Sequence, residues 1–227
     1  NRATSGFYNN PFMAVYQYPR GLDLNQYKNQ YEQYDPTRKV NTQNWFVYED
    51  NTSFSQNPYW ILNRMPSNEK LNRALALLSV RWDISNKFNF QVRGSADRSN
   101  NAFEQKMYTG TSTTVAGGAT DPADGRLTTG RYLYNNSTNT QLYGDVLFNF
   151  RSKLATDFDL TASLGSSITD TKIDIDNFDT YTSGLNQANL FTTANVLPGS
   201  ITTKSNTHAQ VQAVYGTAQL SYKDAIF

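Results

Sequence analysis

The sequence predicts an all-β fold: antiparallel strands forming part of a large transmembrane β-barrel, with long loops at one end. Three observations predict it. Apolar and polar residues alternate with a period of two in runs of about ten residues, the length of a tilted strand crossing a bilayer. The connections between these runs alternate long and short, as in a barrel with tight turns at one mouth and extended loops at the other. The apolar rows also gather aromatic side chains beside each short turn, the position of an interfacial girdle.

Composition leaves room for this reading and narrows others. The 227 residues carry 20 basic and 19 acidic side chains, a net charge of +1, too balanced to argue for a nucleic-acid partner. Cysteine is absent, which removes disulfides, thiolate metal sites and cysteine nucleophiles together. No apolar run approaches a membrane helix, so only strands of a barrel would take this chain across a bilayer. The sequence opens at Asn1 without a charged or apolar leader and stops at Ala225-Ile226-Phe227, where a further apolar strand starts. The expectation is an internal fragment of a barrel domain.

Residues 1–71 show little alternation and are crowded with Tyr, Asn and Gln, as an ordered surface loop region would be. One short helix is expected there. Leu24, Tyr27, Tyr31 and Tyr34 share a face, Asp23 is the N-cap with Gln26 three positions on, and Asp35-Pro36 ends it.

Residues 72–99 read as the first hairpin. Ala74, Ala76, Leu78, Val80 and Trp82 alternate with Arg73, Ser79, Arg81 and Asp83, leaving Leu75 and Leu77 as apolar exceptions. After the turn Ser85-Asn86-Lys87, Phe88, Phe90 and Val92 alternate with Asn89, Gln91 and Arg93. Residues 100–139 form a long loop broken by Gly110, Gly117-Gly118 and the run Asp121 to Gly125. A second hairpin occupies 140–168, where Leu142, Gly144, Val146, Phe148 and Phe150 alternate with Tyr143, Asp145, Leu147, Asn149 and Arg151. Its second strand sets Phe158, Leu160, Ala162 and Leu164 against Asp159, Thr161 and Ser163. Residues 169–206 form a third long loop, and 207–227 a last strand, a turn at Lys223-Asp224 and the start of another strand. In this strand Val214, Gly216, Ala218, Leu220 and Tyr222 share one side.

Parity assigns two opposed roles. Trp82, Phe88, Phe90, Phe148, Phe150, Phe158 and Tyr222 are the expected membrane girdle at the short-turn end, with Phe227 beside Tyr222. Arg73, Arg81, Arg93, Asp145 and Arg151 fall on the opposite face and are expected to line a wet lumen; their mixed signs argue against a strongly ion-selective channel. A soluble antiparallel sandwich also alternates, but it does not predict aromatics at the short-turn ends or three long loops on one side.

Several short motifs then point the same way. The segment from Asn57 to Arg73, NPYWILNRMPSNEKLNR, resembles the NPYW-hydrophobic-NR-x-P-S-x-x-K-x-NR segment of SusC/RagA-type TonB-dependent transporters. Pro19-Arg20-Gly21-Leu22-Asp23, Gln43-Asn44-Trp45 and the stretch from Leu78 to Ile84 resemble neighbouring elements of that family. The stretch from Tyr215 to Asp224, YGTAQLSYKD, is similar to its YGxAxxxYKD strand end. The matches fall in family order, whereas the loops 100–139 and 169–206 match nothing. The resemblance implies a 22-stranded barrel in the outer membrane of Bacteroidetes, blocked by an N-terminal plug that this sequence lacks. It implies a SusD-like surface lipoprotein as lid, TonB-ExbB-ExbD acting through the plug, and import of oligosaccharides or oligopeptides. Residues 1–71, 100–139 and 169–206 would then be extracellular.

Catalysis finds little support. His208 is the single histidine, and Gly-x-Ser-x-Gly is missing. His208 is expected as a lumen or rim side chain. Gly117-Gly118 lacks the Gly-Lys-Ser/Thr of a phosphate loop. Asp174, Asp176 and Asp179 alternate in a way a hard cation could use, but the EF-hand's central Gly and distal Glu are missing; Asp121 and Asp124 are weaker still. No cofactor is expected. Trp45, Tyr48, Tyr59 and Trp60, with Asn57 and Arg64, form a kit for ligand or lid-protein contact, since rings stack on sugar faces while amides and arginine take hydroxyls. The same residues suit packing inside the loop region, which is the favoured reading. Tyr132 and Tyr134, in an unmatched loop, are better candidates for contact. The rival readings are a soluble or surface-anchored glycan-binding β module and, far behind, an enzyme using Asp174 and Asp176.

Overall fold

The computed structural model describes residues 10–45, 56–122 and 125–223. Strands dominate them. Strands β1 (Glu32–Asp35) and β2 (Val40–Gln43) form a small antiparallel hairpin. Strands β3 (Ser67–Asp83), β4 (Phe88–Met107), β5 (Arg131–Ala155), β6 (Phe158–Asp179) and β7 (Ile201–Tyr222) hydrogen-bond in sequence order as one five-stranded sheet. Numbers rise on one strand as they fall on the next: Arg73 meets Asp97, Ser79 meets Gln91, and Ile84 closes on Phe88. Likewise Asn89 meets Asn149 and Arg93 meets Asp145. The sheet is open, with β3 and β7 at its edges.

The strands outrun their alternation. The hairpins expected at 72–99 and 140–168 extend through β3–β4 and β5–β6, and only 108–130 and 180–200 lie outside strands in the expected loops. The reason is local. Beyond Ile168 the alternation changes sides: Asp170, Lys172, Asp174 and Asp176 continue the row of Ile168, Ile173 and Ile175 fall on the opposite side, and Thr and Ile still favour extended backbone. Asp174, Asp176 and Asp179 therefore lie in a strand, not a loop.

Helices α1 (Pro11–Gln17) and α2 (Pro58–Arg64) begin alike. Asn10 and Asn57 each accept a backbone N–H two residues on, and proline follows at the first helical position, where no N–H partner is lost. A one-turn helix α3 spans Thr113–Ala116. The helix expected from Leu24 to Tyr34 is a 3₁₀ turn, Leu24–Tyr27, capped by Asp23. The chain then enters β1, because Tyr31 to Asp35 finds a partner in β2. Asp35 holds that hairpin's turn by accepting from the backbone of Thr37 and Arg38, and Arg38 bridges Asp35 and Asp121 at 2.6 Å each.

The chain divides into two compact units. Unit 1 takes the described residues of Asn1–Lys70, Ala102–Asn136 and Asp176–Lys204. Its core joins Trp60 and Ile61 of α2, and Met65 just after it, to Met107, Ala116 and Leu127. A second cluster packs Trp45 against Tyr18 and Tyr27, at ring distances of 5.5 and 4.9 Å. Arg131 forks onto Asp179 at 2.6 and 2.8 Å, donates to the Ala116 carbonyl and lies over the Tyr181 ring. Unit 2 takes Leu71–Asn101, Ser137–Ile175 and Ser205–Phe227, and there the sheet has two contrasting faces. The turn residue Lys223 donates its N–H to Asp157, while the expected strand start at 224–227, with Phe227, lies outside the described residues.

Candidate functional site

The motif residues of unit 1 form an interlocked set of amides. The Gln43 side chain accepts the Asn57 N–H and donates to Gln56 and to the Gly110 carbonyl. Gln56 also accepts the Ser112 N–H, and Asn57 donates to the Asn44 carbonyl at 2.7 Å. The Trp60 indole donates to the Thr111 hydroxyl at 2.9 Å. Gln43, Gln56 and Asn57 are buried, so each amide satisfies a backbone group that water cannot reach. Gly110 takes a φ of +84°, and a Cβ there would stand 2.5 Å from that of Thr42; only glycine fits.

Beside this set lies a cleft of about 410 Å³. The β1–β2 hairpin supplies Glu32, Tyr34, Lys39 and Asn41; α2 supplies Arg64; Tyr108 and Asn189 complete it. Arg64 donates from Nε and Nη2 to Glu32 Oε2 at 2.9 and 2.7 Å, and Asn41 donates to Oε1. The guanidinium sits 4.9 Å from the Tyr108 ring centre, and Tyr108 packs on Phe191. Tyr34 is 63% exposed, and Lys39 has no ion-pair partner among the described residues. Such a lining suits hydrogen bonding to a polar ligand over an exposed ring; it holds no nucleophile with a base.

The predicted contact residues therefore separate. Trp60 and Asn57 are fully buried and Trp45 is 5% exposed, so the chain's own packing uses them. Tyr59 is half-buried at the start of α2, and Arg64 reaches the cleft. Tyr48 lies outside the described residues. Tyr132 and Tyr134 lie in β5 rather than in a loop. Tyr132 is buried against Phe178 and Phe191 and donates to Glu104 at 3.0 Å; burial, then that bond, pushes its hydroxyl up to about 12. Tyr134 is half-buried. Sequence reasoning missed Glu32, Lys39 and Asn41, whose one signal was a polar strand pair.

In unit 2 the odd-numbered residues form lateral polar pairs. Arg93 forks onto Asp145 at 2.5 and 2.9 Å, and Tyr143 adds a bond of 2.6 Å. Arg73 forks onto Asp97, and Ser163 and Asn89 meet at Asn149. Arg81 pairs with Asp83 of its own strand. Arg151 lines a depression of about 440 Å³ with Lys87, Lys153 and Asp159. The even-numbered rows hold the aromatics: Phe88 packs on Phe148 and Phe150 at 5.5 and 4.8 Å, and Phe158 on Tyr222 at 5.0 Å. Trp82 is 66% exposed and Phe90 half-buried in the same rows.

His208 shares the parity of Val214 and Tyr222, so it stands on the aromatic face, not with the arginines expected in the lumen. It meets Asp170 at 2.7 Å. Asp174 is bonded by Asn206, Asp176 lies 3.9 Å from Lys204, and Asp179 is taken by Arg131. Among the described residues no group of three metal-ligating side chains converges; Asp124 lies outside them.

No family model matches the chain, and no curated protein matches it. Among solved structures it is similar to a chain of the RagAB peptide transporter, with a TM-score of 0.57 and 12% identity over 79% of this chain and 19% of that one. The RagAB peptide importer in its closed-closed state gives a TM-score of 0.58 at 12% identity, over 78% and 18%. The open-open state gives 0.57 at 11%, over 79% and 18%. The chain shares the fold of these transporter segments. It spans about a fifth of their length at most. No helix among the described residues is long and apolar enough to cross a membrane.

Proposed function

We propose that this chain is a strand-and-loop segment of a SusC-like, TonB-dependent transporter of the bacterial outer membrane, importing oligopeptides. One observation carries the reading: the apolar rows of unit 2 are bare while its charges pair with each other. Leu78 is 69%, Leu164 60% and Val214 78% exposed, yet the Asp145 carboxylate is enclosed. In water that distribution is costly; against lipid it is the expected one. The open edges of β3 and β7 support further strands pairing on each side toward a closed barrel of about 22, since unpaired edges cannot face lipid.

On this reading the short turns are periplasmic and 108–130 and 180–200 extracellular, below a SusD-like lipoprotein. TonB-ExbB-ExbD supplies energy through the plug, and no step changes the substrate chemically. The peptide transporters of like fold favour peptides over glycans as cargo. The Glu32–Arg64 cleft is where cargo or lid would touch unit 1.

Deleting the gene tests this. Growth on oligopeptides as sole nitrogen source should be lost and growth on free amino acids kept. Unchanged growth on every peptide and glycan polymer, with the protein in the aqueous fraction without detergent, would instead favour the soluble glycan-binding module.

A further inference from the structure

Unit 2 carries a cavity of about 480 Å³ on its sheet. The register that pairs Arg93 with Asp145 and Asn89 with Asn149 sets Gly94 opposite Gly144. Neither contributes a side chain, so the ladder is bare at that level. A Cβ on Gly144 would meet Ile168 Cγ2 at 3.7 Å and the Arg93 carbonyl at 4.0 Å. Val92, Val146 and Ile168 wall this notch, and Ser166 and Gln212 rim it. All five share the even-numbered face. Arg93 and Asp145 direct their side chains to the other face, where they pair, and offer the notch only backbone.

Its place in the row suggests an occupant. From Phe158 to Ile168 the even-numbered side chains of β6 are mainly apolar; the next two in that row are Asp170 and Lys172. Each step of two residues advances about 7 Å along a strand. The notch therefore lies one step below the point where the row turns ionic. Lys172 and His208 flank Asp170, the first near enough for its charge to act on the carboxylate and the second at 2.7 Å, so two basic side chains stand about one acid. A lipid whose phosphate sits at Lys172 and His208 brings its first methylenes level with Val92, Val146 and Ile168. A water-filled notch would leave three apolar walls wet, and a protein partner would have to displace lipid from the continuous exposed rows around it.

We infer that the Gly94–Gly144 notch is a binding site for one acyl chain of a phosphate-bearing lipid, with Lys172 and His208 at its headgroup. The inference rests on the membrane reading above. The test uses the delipidated full-length transporter in detergent, with dimyristoyl phosphatidylglycerol as probe and native mass spectrometry as readout. One lipid should be retained by the wild type and about tenfold less by Gly144→Leu, which fills the notch. Val146→Phe, narrowing it from the side, should act the same way, whereas Ala218→Leu, on the same face but outside the notch, should retain lipid like the wild type. Lys172→Gln should weaken phosphatidylglycerol but leave a neutral diacylglycerol unaffected. Equal retention by wild type, Gly144→Leu and Val146→Phe overturns the site. A nitroxide on Leu164→Cys in nanodiscs separates the two readings. If it is accessible to oxygen but not to an aqueous nickel chelate, the face is in lipid and a failure of retention falls on the notch alone. If the chelate reaches it, the membrane reading fails first.

Discussion

The two units spend the same residue types in opposite ways. Unit 1 hides amides and aromatics together: Gln43, Asn57 and Trp60 have almost no exposed surface, and each polar atom finds a backbone or hydroxyl partner. Unit 2 leaves leucine and valine bare and pairs its charges laterally, so that an aspartate is its enclosed side chain and Val214 its most open one. Unit 1 buries amides and aromatics side by side, whereas unit 2 encloses a carboxylate and bares its aliphatics. On the proposed membrane reading the difference is one of solvent: lipid against unit 2's even-numbered face would leave its aliphatic side chains bare without the cost that water imposes. Mutations that ask each unit about its solvent can break or sharpen that contrast.

The largest effect belongs to unit 1. Trp60→Ala removes the centre of the α2 core and takes the indole donor from the Thr111 hydroxyl, which keeps its own bond to the Tyr108 carbonyl, and should cost about 3–5 kcal/mol. Protease susceptibility of 102–136 in the full-length protein would report it. An unaltered cleavage pattern would mean that the amide set alone holds this unit.

Next comes Leu164→Arg. The side chain is 60% exposed, on a strand interior to the sheet. It stands six residues from Phe158, about 20 Å along the strand, near mid-depth of the proposed apolar band. In a bilayer the substitution should cost about 2–4 kcal/mol. On a water-facing sheet it should stay within about 0.5 kcal/mol. Equilibrium unfolding in lipid vesicles distinguishes these outcomes, and the smaller value would place the row in water.

How much of this was legible in the sequence depends on range. The five long strands, their order and the opposed parity of Arg93 and Phe88 follow from a period of two, a property of each strand alone. The helix starts at Asn10-Pro11 and Asn57-Pro58 carry a cap and a first-turn proline, yet the sequence reading missed both and placed its one helix at Leu24 to Tyr34. Strand ends were not legible, since β6 continues after its apolar side changes from even to odd numbers. Nor were the partners: Arg93 and Asp145 are 52 positions apart, and Gln43 and Gly110 are 67 apart. Such pairs depend on register and on loop closure, which local pattern does not encode. The misplacement of His208 has another cause. The sequence reading set it opposite the apolar parity, whereas it shares the even number of Val214, in a row that turns polar beyond its apolar stretch.

The smallest effect separates two arginines that the sequence put in one role. Arg81 and Asp83 expose 60% and 64% of their side chains, so water screens both charges whether or not they touch. Arg93 is itself fairly open, but the Asp145 carboxylate it forks onto is wholly enclosed, with the Tyr143 hydroxyl as its other partner. Removing the first arginine strands nothing; removing the second leaves an enclosed carboxylate with one neutral donor. Arg81→Gln should therefore leave the unfolding midpoint where it was, at any salt concentration. Arg93→Gln should lower it, and Asp145→Asn in the same chain should recover part of the loss by discharging the stranded group. Equal midpoints for Arg81→Gln and Arg93→Gln would mean that water reaches Asp145, and that the odd-numbered face is as open as the even-numbered one.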